Sequence, residues 1–277
     1  MRQFICLIII ATIMAGCSKN SDNLDGDTQV GQEPEEQTKP DVNQNDEEVN
    51  EPEEDVDENG IEEEEMKSPL YEVSNVWSIK PMEEDVAHNV VLMTIDDAPD
   101  KYSLEMAKTL KNLDVKAIFF VNGIFIEKGD GREQLKQIAE LGFEIGNHTY
   151  GHTRLDTISE EEQYEEIMKN SDLIEDITGE RPKFFRAPHG VNTDYAKNLV
   201  KEEGMALMNW SFGYDFMADY MTKEAIADIM VNTELLSNGA NLLMHDREWT
   251  YEALEEIVTG IQDKGFQFVD PDLIQTP

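Results

Sequence analysis

Between residues 89 and 269 short apolar runs alternate with longer amphipathic stretches, and this alternation restricts the possible folds more than any other feature. The runs at 89–94, 115–121, 143–146, 183–186, 205–209, 241–244 and 266–269 read as strands. The stretches at 102–113, 131–141, 159–178, 193–203, 222–235 and 250–263 read as helices. Ser159 with Glu162 has the capping-box spacing, whereas Thr222 lacks the Glu three residues on. Strands separated by a helix's length call for a parallel sheet with crossover connections. Seven strands and six helices predict an α/β fold, a deformed or nearly closed (β/α) barrel of about seven parallel strands. A doubly wound open sheet is the alternative.

The alternation is absent from the first part of the chain. Residues 18–70 hold 20 of the 60 acidic residues, only three lysines and no aromatic side chain. Such a segment repels itself and has little apolar surface to bury, so it is expected to be a disordered acidic tether. Fifty flexible residues span roughly 40 Å, and more when self-repelling. Ahead of it, Phe4 to Met14 is an apolar run ending in Ala15-Gly16-Cys17. That run is shorter than the roughly 20 residues of a spanning helix and fits a signal-peptide core. Small residues before Cys17 resemble a bacterial lipobox. The expected organisation is therefore a lipoprotein signal at 1–17 with lipidation at Cys17, a tether at 18–70 and a folded domain at 71–277. The expected location is the outer face of the cell membrane. The formal charge of −38 argues against a nucleic-acid partner, which needs basic surface, and no protein partner is inferred. Both cysteines, Cys6 and Cys17, precede the domain, so it has no thiol metal ligand.

The reactive residue types fall where the expected strands end. Asp96 and Asp97 follow the first, His148 the third, Arg186 ends the fourth, the segment from Trp210 to Phe216 follows the fifth, and His245 follows the sixth. In a barrel these ends share one face. Four of the five histidines (His148, His152, His189 and His245) lie at such ends. His148-Thr149-Tyr150-Gly151-His152 lets two imidazoles reach one ion from a tight loop, and one of the two adjacent aspartates completes a three-ligand set. The set suits one divalent ion, Zn²⁺ first, with Co²⁺, Ni²⁺ or Fe²⁺ also acceptable. Such an ion activates water and polarises a carbonyl, which points to hydrolysis. Arg186 beside a carboxylate would keep it ionised, and a histidine at 245 could protonate a departing amine.

Taken in order, these motifs resemble the polysaccharide deacetylases, the NodB-homology domain of carbohydrate esterase family four. The residues that carry the resemblance are Thr94 to Pro99, His148 to His152, Arg186 to Gly190, and Leu243-Met244-His245. The resemblance implies a deformed barrel with Asp97, His148 and His152 on the metal, Asp96 as base, Arg186 positioning Asp96, and His245 as acid. It also implies a substrate pocket formed by Pro188, His189 through its backbone N–H, Leu243 and the Asp215 region. The family's Asp-Trp motif is the least clear here: Trp210-Ser211 opens the segment, Asp215-Phe216 fits with a one-residue shift, and on that shift Asp215 is expected to hydrogen-bond His245. Ala98 stands where Gly is usual, which requires that residue to avoid positive φ, and His189 stands where Tyr is common. The expected substrate is a cell-wall polysaccharide of N-acetylglucosamine units, peptidoglycan first. A catalytically weak glycan-binding lipoprotein and a deacetylase of another amide are the competing readings.

Overall fold

The computed structural model describes residues 68–277. The signal-peptide, Cys17 and acidic-tether expectations fall almost wholly on residues outside that range. Leu70 already belongs to the fold, since its N–H donates to the Leu273 carbonyl at 2.8 Å.

The chain forms a half-barrel of seven parallel strands. β1 (Tyr71–Val73) and β2 (Ile79–Pro81) make a separate antiparallel hairpin. The main sheet holds β3 (Val90–Ala98), β4 (Ile118–Val121), β5 (Glu144–Asn147), β6 (Phe184–Phe185), β7 (Ala206–Leu207), β8 (Ala240–His245) and β9 (Gln267–Phe268). Its order is β7-β6-β5-β4-β3-β8, with β9 paired to the start of β3. Crossovers are carried by α1 (Ser103–Asn112), α2 (Gly123–Ile126), α3 (Asp130–Glu140), α4 (Glu160–Thr178), α5 (Asp194–Glu202), α6 (Lys223–Asn232) and α7 (Glu248–Asp263). No strand pairs β7 with β8. The gap is bridged by the segment after β7, where Ser211 N–H donates to the Asn241 carbonyl and Leu243 N–H to that of Phe212, each at 2.8 Å. A sequential order closed by this single bridge is a barrel deformation, not a doubly wound sheet.

Both faces of the sheet are buried, which is why its strands read as continuous apolar runs. Val91, Met93, Ile95, Phe119 and Val121 pack against the helices. Val90, Leu92, Ile118, Phe120 and Phe184 form the inner layer, together with Tyr71 and Ile79 of the hairpin. Successive strand side chains alternate between these faces.

Several expected bounds shift. β3 continues through both aspartates to Ala98 because its neighbours keep pairing there, Asp96 with His245 and Ala98 with Val121 across a bulge. β6, β7 and β9 are two residues each. α6 stops at Asn232, where Thr233 turns extended. The hairpin and α2 were not anticipated, being too short to carry a periodic signal. The capping box at Ser159 and Glu162 forms in both directions, and Thr222 accepts from Ala225 N–H without it.

Candidate metal centre and active site

The alternation of faces decides which side chains meet. Leu92 faces inward, so Thr94 and Asp96 on the same side of β3 do too; Phe184 faces inward, and so does Arg186 two residues on. On β8 the helix layer takes Ala240, Leu242 and Met244, which turns Asn241, Leu243 and His245 inward. Asp96 and His245 lie opposite each other in adjacent strands. These ends and the loop after β5 form one site.

Asp97, His148 and His152 each offer a ligand atom, and all three atoms lie within 4.8 Å of one another. Oδ1 of Asp97 is 3.4 Å from His152 Nε2 and 4.0 Å from His148 Nε2. His148 Nδ1 lies 2.7 Å from the Arg186 carbonyl oxygen, which can only accept, so Nδ1 carries the proton and Nε2 presents a lone pair. Burial holds the His148 imidazole below its usual pKa. Burial, then the neighbouring His148, brings His152 down to about 4, so both rings are neutral at pH 7. Burial pushes Asp97 up, but His148, His245, His152 and Arg247 outweigh it and hold the carboxyl below its usual value. Two neutral imidazoles and an ionised carboxylate oxygen converging without protons to share suit a divalent cation. Asp97 (φ 61°), Thr149 (φ 66°) and His152 (φ 56°) all occupy the left-handed region, a strained backbone of the kind found at functional turns. Ala98 is not among the positive-φ residues, so its methyl group is tolerated.

Arg186 has no exposed side-chain surface. Its Nη1 donates to Asp96 Oδ1 at 2.6 Å and Thr94 Oγ1 at 2.8 Å, and its Nη2 to the Asn209 carbonyl at 2.9 Å and Asn241 Oδ1 at 3.2 Å. The guanidinium also lies over the Phe120 ring. Asp96 Oδ2 remains, 3.6 Å from His148 Nε2. On the other side of the site His245 Nδ1 is 2.7 Å from Asp215 Oδ1, and Asp215 Oδ2 accepts from His245 N–H and Thr250 Oγ1. Burial lowers the His245 pKa, but the hydrogen bond and charge of Asp215, with Asp96 and Asp97, raise it above its ordinary value. The Asp215 side chain is fully enclosed, so it acts on His245 and does not line the substrate surface as expected. Leu243 and Pro188 are buried in the wall, while His189 is exposed with its ring edge-on to His152.

Several supporting residues were not anticipated. Asn122 donates to the His148 carbonyl at 2.6 Å. Asn147 accepts from Thr149 N–H and from Asn170, and donates to Ser171 and the Ile167 carbonyl. Glu166 accepts from Gly151 N–H at 2.7 Å. Together they hold the 148–152 loop. A buried Asn at a strand end is disfavoured by strand propensity, and that misfit at Asn147 was the available signal. Asp246 accepts from the N–H groups of Asp100, Lys101, Tyr102 and Ser103 and from the Ser103 hydroxyl, which pins the start of α1 to the end of β8. Arg247 donates to Asp97 Oδ2 at 2.8 Å and to the Asp246 carbonyl at 2.9 Å.

The family model for polysaccharide deacetylase matches residues 83–208. A peptidoglycan-N-acetylglucosamine deacetylase of Bacillus cereus is 30% identical over 67% of this chain and 68% of its own. The peptidoglycan-N-acetylmuramic acid deacetylase PdaC of Bacillus subtilis is 30% identical over 73% of this chain, but the match spans only 42% of PdaC. Among solved structures, a peptidoglycan N-acetylglucosamine deacetylase superposes with a TM-score of 0.62 at 28% identity, covering 69% of this chain and 91% of that one. A CE4 family pseudoenzyme from Bacillus anthracis gives 0.61 at 25% identity, covering 68% and 66%. Through the matching family model and the Bacillus cereus relative, this chain belongs to the polysaccharide deacetylase family.

Proposed function

We propose that this protein is a metal-dependent hydrolase that removes N-acetyl groups from N-acetylglucosamine units of peptidoglycan. The observation that carries the reading is the facing pair Asp96 and His245, in register on β3 and β8 beside the Asp97, His148 and His152 donor set. One is a carboxylate locked by a buried arginine, the other an imidazole whose proton is held by a buried carboxylate. A carboxylate placed to accept a proton and an imidazole placed to give one are what amide hydrolysis needs. A divalent ion held by Asp97, His148 and His152, Zn²⁺ first with Co²⁺, Ni²⁺ or Fe²⁺ as alternatives, would supply a Lewis acid and bring water into the nucleophilic range near neutral pH.

Asp96 takes the proton from the attacking water. Arg186, donating to Oδ1, holds that carboxylate in place with Oδ2 left for the water. The N–H of His189 is the donor assigned to the developing oxyanion. His245 gives a proton to the amide nitrogen as the C–N bond breaks, leaving acetate and a free amine. Leu243 and Pro188 shape the wall for the acetyl group. The apolar run before Cys17 supports export and lipid anchoring at the outer face of the membrane, with residues 18–70 as a tether toward the wall.

The test is acetate release from insoluble peptidoglycan and from N-acetylglucosamine oligomers, with and without chelator and added Zn²⁺ or Co²⁺. Metal-dependent release supports the reading. Folded, metal-loaded protein that releases none would favour the second reading, a glycan-binding wall lipoprotein on the same fold, for which the likeness to the Bacillus anthracis pseudoenzyme is the motive.

A further inference from the structure

We infer that Arg247 is a positioning residue that restricts Asp97 to metal ligation through one oxygen, Oδ1, and so sets the affinity and coordination number of the site. This rests on the metal-centre part of the proposed function. The two oxygens of Asp97 face different partners. Oδ1 is the one near both imidazoles, at 3.4 and 4.0 Å, whereas Oδ2 accepts from Arg247 Nη2 at 2.8 Å. The guanidinium's other arm, Nη1, donates to the Asp246 carbonyl at 2.9 Å. It therefore forms a strut between the ends of β3 and β8.

The strut has a fixed base. Asp246 is almost fully buried and its carboxylate accepts five hydrogen bonds from residues 100–103, so the carbonyl that holds Nη1 cannot drift. Its other end needs support, because Asp97 sits at φ 61° and nothing else donates to Oδ2 among the hydrogen bonds of the described residues. A planar fork with two directed N–H groups can span both acceptors, and a lysine ammonium on a flexible stem cannot hold the same geometry. Groups that hydrogen-bond a ligating carboxylate orient it and commonly change metal affinity by about 10–100-fold when removed. Arg247 keeps 35% of its side-chain surface exposed and Asp97 15%, so the pair itself contributes little to folding. An effect on metal binding is thus separable from one on stability.

The experiment is a titration of the metal-free full chain with Co²⁺ and Zn²⁺, against a chromophoric chelator, for wild type, R247A, R247K and H148A. The visible absorption of bound Co²⁺ and the thermal midpoint of the metal-free protein are recorded alongside. R247A is expected to bind about tenfold or more weakly, with a less intense Co²⁺ band as the freed Oδ2 raises the coordination number, and with an unchanged metal-free midpoint. R247K is expected to fall between R247A and wild type, and it carries the test if R247A does not fold. R247A with unchanged or tighter affinity and an unaltered Co²⁺ spectrum overturns the inference while leaving the metal centre standing. Wild type that binds neither ion, or H148A that binds as well as wild type, overturns both.

Discussion

Replacing Arg186 by Met removes the positive charge while keeping apolar bulk over Phe120, and it isolates what the buried pair contributes. In the native protein Asp96 is 2% exposed and its cationic partner is Arg186. Without the guanidinium, a buried carboxylate loses its charge partner, and Asn209 O, Asn241 Oδ1 and Thr94 Oγ1 lose a donor. Breaking one side of a buried ion pair costs about 3–5 kcal/mol. With a urea slope of about 2 kcal/mol per molar, the unfolding midpoint should fall by roughly 1.5–2.5 M. The assay is urea denaturation of the full chain at pH 7 in chelator, so that metal binding does not add to the native state. Adding D96N to R186M should restore at least half of the lost midpoint. A shift below about 0.5 M, or a double variant no more stable than R186M, would show that the pair is not what holds this end of the barrel together.

Further outcomes follow from the same geometry. D96N should lose turnover by about 10² or more yet bind Zn²⁺ as wild type does, whereas H148A should lose both; retained turnover in D96N removes Asp96 as the base. D215N takes away the hydrogen bond and charge that raise the His245 pKa, so the alkaline limb of the kcat profile should move to lower pH, and an unmoved limb would dissociate His245 from it. Glu144, half-buried beside Lys183, Asp272 and Glu180, has its pKa raised to about 7, desolvation being the largest cause. A carboxyl with a raised folded pKa stabilises below its unfolded value near 4.5 and loses that contribution as pH rises through about 7. The thermal midpoint of the protein should therefore fall across that window, and E144Q should flatten the fall; identical pH profiles would place Glu144 outside it.

Much was legible in the sequence because it depends on periodicity and local chemistry. Buried strands show as apolar runs, α4 announced its start through Ser159 and Glu162, and the aspartates, histidines and Arg186 stand at strand ends where a parallel sheet must gather them. What tertiary structure decided is what depends on distant pairing. Sequence could not say that β3 runs on through Asp97, because that follows from β8 and β4 continuing beside it. The hydrogen bond expected between Asp215 and His245 forms, but the sequence offered it only on a one-residue shift of an irregular segment, and it is the bridge of Phe212 to Leu242 that brings the segment there. Nor could the sequence show that Asn122, Asn147 and Asn170 brace one loop, or that Arg247 grips Asp97 from 150 residues away. A chain's local pattern records which face each residue prefers. Which polar groups then satisfy one another is settled only when the faces are brought together and every buried donor must find an acceptor.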